Sequence, residues 1–232
     1  MTAFPDEQKR AAGEAAAALV ESGMIVGLGT GTTAAWFVRA LARRMETDKL
    51  DVRGVPTSSV TRSLAEVLGV PLLELNQVEI DLTVDGADEI GPGLQLIKGA
   101  GAALLREKLV WEASRRCVVI ADQAKQVARL GKHALPIEVV SFGHESTVRR
   151  ICDALTECEI GVPPRLRIRD GEVVVTDSGN VIYDVICGAI AEPSMLADAL
   201  KSVTGVVEHG LFLDLADEAL IAGENGVQRL SP

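Results

Sequence analysis

The sequence has no basic run, no long apolar run and no paired cysteines, and each absence excludes a class of protein. Its 33 aspartates and glutamates outnumber 23 lysines and arginines, which gives a net charge of −10. Without a run of positive charge to follow a phosphate backbone or an anionic bilayer, nucleic acid and membrane partners are disfavoured. The apolar stretch at 24–38 is interrupted by glycines and threonines, and the alanine run in residues 1–23 is too short for a signal peptide, so no membrane span or targeting segment is predicted.

Cysteine and histidine are also scarce, which bears on metals and disulfides. The cysteines at 117, 152, 158 and 187 form no C-x-x-C pair, and the three histidines form no cluster with metal-ligand spacing. We therefore predict no metal site and no disulfide framework. The four thiols are expected to be reduced and mostly buried, as in a cytoplasmic protein.

Short β-branched runs alternate with helical patterns in the first half of the chain. A helix is predicted over 6–21, and strands are predicted at 24–28, 52–55, 82–84, 94–97 and 117–121. Most of these strands lead into a turn and a helix. The alternation predicts an α/β fold with a doubly wound, mostly parallel sheet of the Rossmann-like type.

After about Gly131 the pattern changes to that of a small α+β domain. Strand-like runs at 134–142 and 164–168 flank a helical pattern at 145–155. A hairpin is predicted around residues 177–180, and a second helix is predicted at 194–203. The stretch 205–223 is expected to return to the main sheet. We place the main α/β domain at 1–131 and 207–232, and the small α+β domain at 132–206.

A glycine turn follows the first predicted strand. Gly29, Gly31 and Ala34 satisfy the dinucleotide pattern G-x-G-x-x-A, but the second predicted strand is followed by Pro-Thr-Ser rather than by the acid that would bind a ribose hydroxyl. The hydroxyl-rich residues 30–33 and the following helix N-terminus suit a small anion, such as the phosphate of a sugar phosphate. The alternative is a tight turn in which the threonines only cap the helix. Residues 57–59 are interpreted as another N-cap.

Acidic and lysine residues follow several of the predicted strands. Asp85 and Asp88 come after the strand at 82–84, Lys98 opens the glycine turn after 94–97, and Lys125 follows 117–121. Because ligands of open α/β sheets bind at the carboxyl ends of the strands, we expect these residues to gather at one edge. The alternative for 85–89 is an acidic turn chosen for its conformation. The spacing of a calcium-binding loop is absent.

Glu107 is the acid on the apolar side of a predicted helix. At about 100° per residue it falls among Val110, Trp111 and Ser114, whereas Lys108 falls on another side with Glu112 and Arg115. A carboxylate partly withdrawn from water loses hydration of its charged form and so takes up a proton more readily, which suits a general base. A nearby cation would compensate its charge, and Lys98 is the candidate. The alternative is a solvated helix surface.

Motifs along nearly the whole chain resemble ribose-5-phosphate isomerases of the A type. They are GLGTGTTAA (27–35), DLTVDGADEI (81–90), LIKGAGAALLREK (96–108), ADQAKQV (121–127), TDSGNVIYDV (176–185) and EHGLF (208–212). The resemblance implies interconversion of ribose 5-phosphate and ribulose 5-phosphate in the non-oxidative pentose phosphate pathway, with no metal or organic cofactor. It also implies a homo-oligomer, either a dimer or a tetramer.

The resemblance assigns roles position by position. Glu107 matches the proton acceptor, and Asp85, Asp88 and Lys98 match the supporting catalytic residues. The implied substrate-binding positions are Thr30, Gly31, Thr32, Thr33, Asp85, Gly86, Ala87, Asp88, Lys98, Gly99, Ala100, Gly101 and Lys125, with Lys9 as a further phosphate ligand. The family's usual turn is KGGG, so Ala100 is a departure, and a positive φ there would strain the backbone.

Other functions remain open at this point. A sugar-phosphate sensor of similar fold would need an attached DNA-binding module, for which the residues before the first strand leave no space. A sugar-phosphate deaminase or a CoA transferase of similar architecture would instead be recognised by release of ammonia or by acyl-CoA exchange.

Overall fold

The computed structural model describes residues 5–76 and 78–232, which divide into two compact units. The first unit contains the described residues up to Ala87, together with Arg106–Gln126 and Asp214–Pro232. The second unit contains Asp88–Leu105 and Val127–Leu213. Each unit is therefore built from segments that are separate in sequence.

The helices and strands follow in chain order. The helices are α1 (Pro5–Ala17), α2 (Thr32–Thr47), α3 (Ser59–Val67), α4 (Leu104–Glu112), α5 (His144–Glu157) and α6 (Pro193–Lys201), with short 3₁₀ turns at Pro92–Leu94 and Gln123–Lys125. The strands are β1 (Ile25–Leu28), β2 (Arg53–Pro56), β3 (Leu82–Gly86), β4 (Glu89–Ile90), β5 (Leu96–Ile97), β6 (Cys117–Asp122), β7 (Leu135–Val139), β8 (Arg165–Leu166), β9 (Ile168–Arg169), β10 (Glu172–Val173), β11 (Val181–Val185), β12 (Val206–His209), β13 (Leu211–Phe212), β14 (Glu218–Gly223) and β15 (Gly226–Leu230).

The first unit contains a six-stranded sheet in the order β15-β14-β6-β3-β1-β2. Its strands are parallel except β15, which is antiparallel to β14. The predicted α/β fold with a mostly parallel sheet is confirmed. Leu28 pairs with Val84, which in turn pairs with Val118, so the carboxyl ends of β1, β3 and β6 lie at one edge.

The two faces of this sheet carry different side chains because strand residues alternate in direction. On one face Leu28 and Val84 join Phe37 of α2 in the main apolar core, to which α1 also contributes. On the other face Thr83 hydrogen-bonds Ser114, just beyond α4, at 2.6 Å. Asp85 therefore also points to the face that α4 covers.

The second unit is antiparallel throughout its described strands. It contains a four-stranded sheet in the order β12-β7-β11-β8, a three-stranded sheet in the order β13-β5-β4, and the β9–β10 hairpin. The core that these strands share with α5 and α6 includes Ile137, Tyr183 and Leu196. The predicted hairpin around 177–180 is present, since Val175 bridges Val181.

The positions of three predicted strands need correction. β3 runs to Gly86, so Asp85 lies inside the strand and not just after it. β5, from the run at 94–97, pairs with β4 and β13 in an antiparallel sheet and not with the parallel strands. From the stretch 205–223 only β14 joins the six-stranded sheet, whereas β12 and β13 belong to the second unit.

The compact units also differ from the division at residues 132 and 206 expected from the sequence. Residues 88–105 and 127–131, assigned to the main domain from the pattern, fall in the second unit, as do residues 207–213. For 88–105 and 207–213 the cause is a shared sheet, since β4 and β5 of the first segment pair with each other and β5 pairs with β13 of the second.

Residues 5–76 and 78–232 contain neither a membrane-spanning helix nor a cluster of metal-binding side chains. No helix in these residues is long and apolar enough to cross a membrane. No group of three or more His, Cys, Asp or Glu side chains there is arranged to hold a metal ion. All four cysteines are free thiols, but only Cys117 is buried and the other three are partly exposed, so the expectation of mostly buried thiols is wrong.

Candidate active site

The threonine turn (residues 30–33) connects β1 to α2 at the carboxyl edge of the parallel sheet. Gly31 is the N-cap of α2 with φ of 110°, a conformation that favours glycine. Glycine offers no side chain to the first helical N–H groups, so they remain available at the positive end of the helix dipole. Thr32 is exposed and Thr33 is buried. This geometry suits the binding of an anion.

Thr30 is held by a cluster of hydroxyl groups. Its Oγ1 lies 2.7 Å from Oγ1 of Thr57 and donates to Oγ of Ser58 at 2.8 Å. Thr61 Oγ1 donates to the carbonyl oxygen of Gly29 at 2.9 Å. Ser58 is also the N-cap of α3, accepting from the Thr61 N–H, as predicted for residues 57–59. The hydroxyl groups at the start of α3 therefore hold the threonine turn in place by hydrogen bonds.

Asp85 binds the same turn from β3. Its Oδ1 accepts hydrogen bonds from the N–H of Thr30 at 3.0 Å and of Gly86 at 2.7 Å, and its Oδ2 accepts from Nε1 of Trp111 at 3.4 Å. The side chain is 0% exposed. A Cβ on Gly29 would lie 2.3 Å from Oδ1, so only glycine permits this approach. Asp85 thus links the turn, its own strand and α4.

Glu107 lies in the first turn of α4 and is 4% exposed. Val110 and Trp111, three and four residues later, are also buried, so the predicted buried stripe is confirmed. Lys108 is buried too, which corrects its assignment to the polar side of the helix. The indole of Trp111 connects this helix face to Asp85. The orientation of α4, and with it of Glu107, is therefore coupled to β3.

Lys125 and Lys9 are the two further lysines predicted for the phosphate. Lys125 is half-buried in the 3₁₀ turn after β6, whose N-cap Asp122 accepts from the N–H of Ala124 at 3.0 Å. Because β6 lies beside β3, this turn is at the same edge as the threonine turn. Lys9 is half-buried in α1, which packs on α2.

Asp88 and Lys98 belong to the second unit, at the small β13-β5-β4 sheet. The Asp88 N–H donates to the carbonyl of Ile97 at 2.8 Å. The Lys98 N–H donates to the carbonyl of Gly210 at 2.9 Å, and its Nζ lies 5.4 Å from the centroid of the Phe212 ring, within the range of a cation–π interaction. Lys98 is 2% exposed, so its ammonium is withdrawn from water.

The KGAG turn (residues 98–101) is tied to Asp88 and to Arg167. The Ala100 N–H donates to Asp88 Oδ2 at 2.9 Å. Nη1 of Arg167 donates to the carbonyl oxygens of Gly99 and Ala100 at 2.8 and 3.3 Å. The positive φ values fall at Gly99 (113°) and Ala102 (59°), so Ala100 does not carry the strain considered from the sequence.

A buried thiol lies near the Asp85 carboxylate. Burial, together with the nearby carboxylates of Asp217 and Asp85, raises the pKa of Cys117 to about 12. The thiol is therefore protonated at neutral pH and is a poor nucleophile, since the thiolate is the reactive form. Cys117 is not a candidate catalytic residue.

Reasoning from the sequence missed several residues that contact the predicted ones. Thr57 was interpreted only as part of an N-cap, and Thr61, Trp111 and Arg167 were not considered for the site. Thr57 carried a signal, since hydroxyls at the end of a parallel strand face the neighbouring strand ends. Arg167 carried none, because it lies 68 residues from Gly99 in sequence.

Comparison with known proteins identifies similar chains along nearly the full length. A family model described as ribose 5-phosphate isomerase A (phosphoriboisomerase A) matches residues 53–226. The ribose-5-phosphate isomerase A of Caulobacter sp. (strain K31) is 68% identical over 228 residues, covering 98% of this chain and 99% of that one. That of Bacillus mycoides (strain KBAB4) is 45% identical over 222 residues, covering 95% and 97%.

Solved structures superpose on this one along nearly the full chain, at lower sequence identity. The ribose 5-phosphate isomerase from Plasmodium falciparum superposes with a TM-score of 0.94 at 36% identity, covering 98% of this chain and 99% of that chain. A D-ribose-5-phosphate isomerase in complex with phospho-erythronic acid has a TM-score of 0.92 at 35% identity, covering 99% and 100%.

Proposed function

Since the chain belongs to the ribose 5-phosphate isomerase A family and is an aldose–ketose isomerase, we propose that Glu107 is the base for its reaction. The substrate is ribose 5-phosphate, and the product is ribulose 5-phosphate. The observation that carries the assignment is a carboxylate 4% exposed on the face of α4 that packs toward Asp85. No observation favours the sensor, deaminase or CoA transferase alternatives.

The chemistry needs one base and one group for a developing negative charge. Glu107 removes the proton from carbon 2 of the open-chain aldose, which leaves an enediolate with its negative charge on oxygen 1. The proton returns to carbon 1 while the hydroxyl proton of oxygen 2 passes to oxygen 1, and the product is the ketose. One carboxylate serves both steps because the two carbons are adjacent. Its withdrawal from water leaves the carboxylate poorly hydrated, so less solvent must be displaced when the proton transfers.

Lys98 stabilises the enediolate oxygen in this proposal. Support comes from its ammonium group, which is 2% exposed and faces the ring of Phe212. A cation withdrawn from water acts more strongly on a developing oxyanion than one in solvent. Asp88 orients the segment through its bond to the Ala100 N–H, and its exposed part binds a sugar hydroxyl.

Asp85 assists the opening of the sugar ring. The closed ring must open before the base acts on carbon 2. A carboxylate can accept the proton of the anomeric hydroxyl while the bond from carbon 1 to the ring oxygen breaks, and the carboxyl group then gives this proton to the ring oxygen. The three donors that already bind its oxygens make Asp85 a positioning residue as well, since it holds the Thr30 N–H and the Trp111 indole.

The phosphate binds at the threonine turn, with Lys125 as the paired cation and Lys9 as a further ligand. Support comes from the N-terminus of α2, where the N-cap is glycine, and from the position of Lys125 after the adjacent strand β6. Phosphate held there anchors the substrate away from the reacting carbons, and this binding energy positions the sugar.

The ligand of one solved relative is consistent with this reaction. The structure of that isomerase is a complex with phospho-erythronic acid. Its planar carboxylate resembles the oxygen-bearing enediolate, and its phosphate needs an anion site. A ligand with both groups agrees with a reaction in which the phosphate is held by an anion-binding turn while the carbons at the other end react.

The test of the base is Glu107→Gln, which keeps the shape of the side chain and removes its basicity. We expect kcat to fall by about 10²- to 10⁴-fold while KM changes little. Ketose formation from ribose 5-phosphate would be followed in buffer that contains a chelator, so that free metal ions do not contribute to the rate. Glu112→Gln, on the exposed side of the same helix, is the control and should keep wild-type turnover. Near wild-type turnover of folded Glu107→Gln would rule out Glu107 as the base.

Lys125→Met tests the phosphate anchor with the same assay. KM should rise because a cation opposite the phosphate is lost, and the difference from wild type should shrink for a substrate without phosphate. Lys132→Met, which changes an exposed lysine seven residues later, should leave KM unchanged. An unchanged KM in Lys125→Met would move the phosphate elsewhere.

The enzyme is a homo-oligomer of the cytoplasm in this proposal. Support for assembly comes from exposed apolar side chains of the second unit, among them Phe142 at 93% and Val175 at 61% exposure. Support for the compartment comes from four free thiols. Light scattering that returns the mass of one chain would refute the oligomer, and recovery in a secreted fraction would refute the location.

A further inference from the structure

Arg167 connects the outer strand of the four-stranded sheet to the KGAG turn. It lies between β8 and β9, and its backbone is bonded on both sides: its N–H donates to Ile182 and its carbonyl accepts from the N–H of Val174. Its Nη1 donates to the carbonyl oxygens of Gly99 and Ala100. A side chain 68 residues from Gly99 in sequence therefore determines the position of two peptide groups in the turn.

Asp184 of β11 anchors the guanidinium of Arg167. Nε donates to Oδ2 at 2.7 Å, and Nη2 forms a second bond to Oδ1. The pair is bidentate, with side-chain exposures of 11% for Arg167 and 24% for Asp184. Paired N–H donors fix the plane of the guanidinium, which leaves Nη1 directed at the turn. A partly buried fork of this kind is more rigid than an ion pair on the surface.

The bonds to the turn fix the direction of its peptide groups. In a trans peptide the C=O and the following N–H point to opposite sides. Because Arg167 holds the Gly99 carbonyl, the Ala100 N–H points to the other side, where it binds Asp88. By the same geometry, the Ala100 carbonyl directs the Gly101 N–H away from the guanidinium. Gly99 permits this arrangement with its φ of 113°, and a Cβ there would lie 3.0 Å from Leu104 and Pro136.

We infer that Arg167, anchored by Asp184, is a positioning residue for the isomerase reaction. It holds the carbonyl side of the KGAG turn, so that Lys98 and the N–H groups of Ala100 and Gly101 keep the orientation in which the substrate and Asp88 need them. This inference rests on the proposed function, because it takes the turn as a substrate-binding segment. This role requires no contact between Arg167 and the substrate, because the guanidinium acts through the turn.

The test compares Arg167→Ala with Arg167→Lys. Loss of the guanidinium frees the turn, and a misplacement on the order of 1 Å lowers kcat by about 10- to 100-fold. Lysine restores the charge but cannot bind a carboxylate and two carbonyls with one fixed fork, so Arg167→Lys should fall between wild type and Arg167→Ala. Added guanidinium, below denaturing concentrations, should raise kcat of Arg167→Ala. Amide hydrogen exchange of residues 99–102 should speed up in the same variant.

Two variants separate this role from general stability. Arg169→Ala removes an exposed arginine two residues away and should leave kcat, KM and the thermal unfolding midpoint unchanged. Asp184→Asn should weaken the anchor, and its effect should not add to that of Arg167→Ala, because both act through one contact. If Arg167→Ala fails to fold, Arg167→Lys and Asp184→Asn give the same comparison. Folded Arg167 variants with wild-type kcat and KM would overturn the inference.

Lys98→Met distinguishes failure of this inference from failure of the proposed function. If Lys98→Met loses activity while Arg167→Ala keeps it, the turn is catalytic but does not depend on Arg167, and only the inference is wrong. If both variants keep wild-type activity, the KGAG turn has no part in the reaction, and the proposed role of Lys98 is also wrong. Loss of activity in both, with rescue by guanidinium, supports the inference.

Discussion

The indole N–H of Trp111 joins the helix that carries Glu107 to the carboxylate that holds the threonine turn. Trp111→Phe removes this N–H and keeps the aromatic packing. Leaving a buried carboxylate oxygen with one fewer donor costs about 1–3 kcal/mol. We expect the free energy of unfolding, measured with urea, to fall by that amount. We also expect kcat to fall several-fold, since Glu107 lies one turn earlier on the same helix.

Trp36→Phe is the matched control for that prediction. Its Nε1 also donates to an aspartate, Asp6, at 3.4 Å, but this bond is exposed. Removing the partner of an exposed polar group costs little free energy, because water takes the place of that partner. The free energy of unfolding and kcat should therefore stay near wild type. If Trp111→Phe behaves like Trp36→Phe, the bond to Asp85 does not position α4.

The sequence predicted single residues well where a regular period decides their environment. The burial of Glu107 follows from helical spacing alone. Lys108 is next to it in sequence and buried as well, although the same spacing places it on the polar side. The period gives the direction of a side chain, but it does not show which neighbouring segments cover that direction. Lysine burial therefore required the tertiary structure.

At the scale of elements, strand length decided which predictions succeeded. β1, β2, β3 and β6 contain four to six residues each, and their runs of branched side chains were visible. β4, β5 and β13 contain two residues each, so even where a strand was predicted, as at 94–97, no period indicated its partners. Their pairing depends on contacts between distant segments, which a local pattern cannot reveal.

The two glycine turns show the same limit. The positive φ of Gly31 agrees with a glycine at a helix start, which the sequence suggested. The need for glycine at position 29 comes from the Asp85 carboxylate on the neighbouring strand. Alanine is tolerated at position 100 because the positive φ values of this segment occur at Gly99 and Ala102. A steric requirement that a neighbouring strand imposes cannot be recognised from the sequence of the turn alone.

At the scale of the whole chain, thiols in both units couple stability to pH. Burial raises the pKa of Cys117 in the first unit and of Cys187 in the second to about 12. An unfolded thiol has a pKa of about 8.5. Between these values the folded state retains protons that the unfolded state releases. The stabilisation is complete below about pH 8.5 and is lost as pH rises toward 12, by up to about 1.4 kcal/mol per pH unit for each thiol.

We therefore expect the urea-derived free energy of unfolding to fall between about pH 8 and about pH 10.5, and to fall less in Cys117→Ala. Alanine also loses packing, but that loss is the same at every pH. The difference between wild type and Cys117→Ala at neutral pH is therefore the baseline. This difference should shrink as pH rises, because only the wild type loses the proton-linked stabilisation. Tyr183, whose pKa burial also raises, is present in both proteins and cancels in the comparison. A difference that stays constant up to about pH 10.5 would show that the Cys117 thiol titrates alike in the folded and unfolded chain.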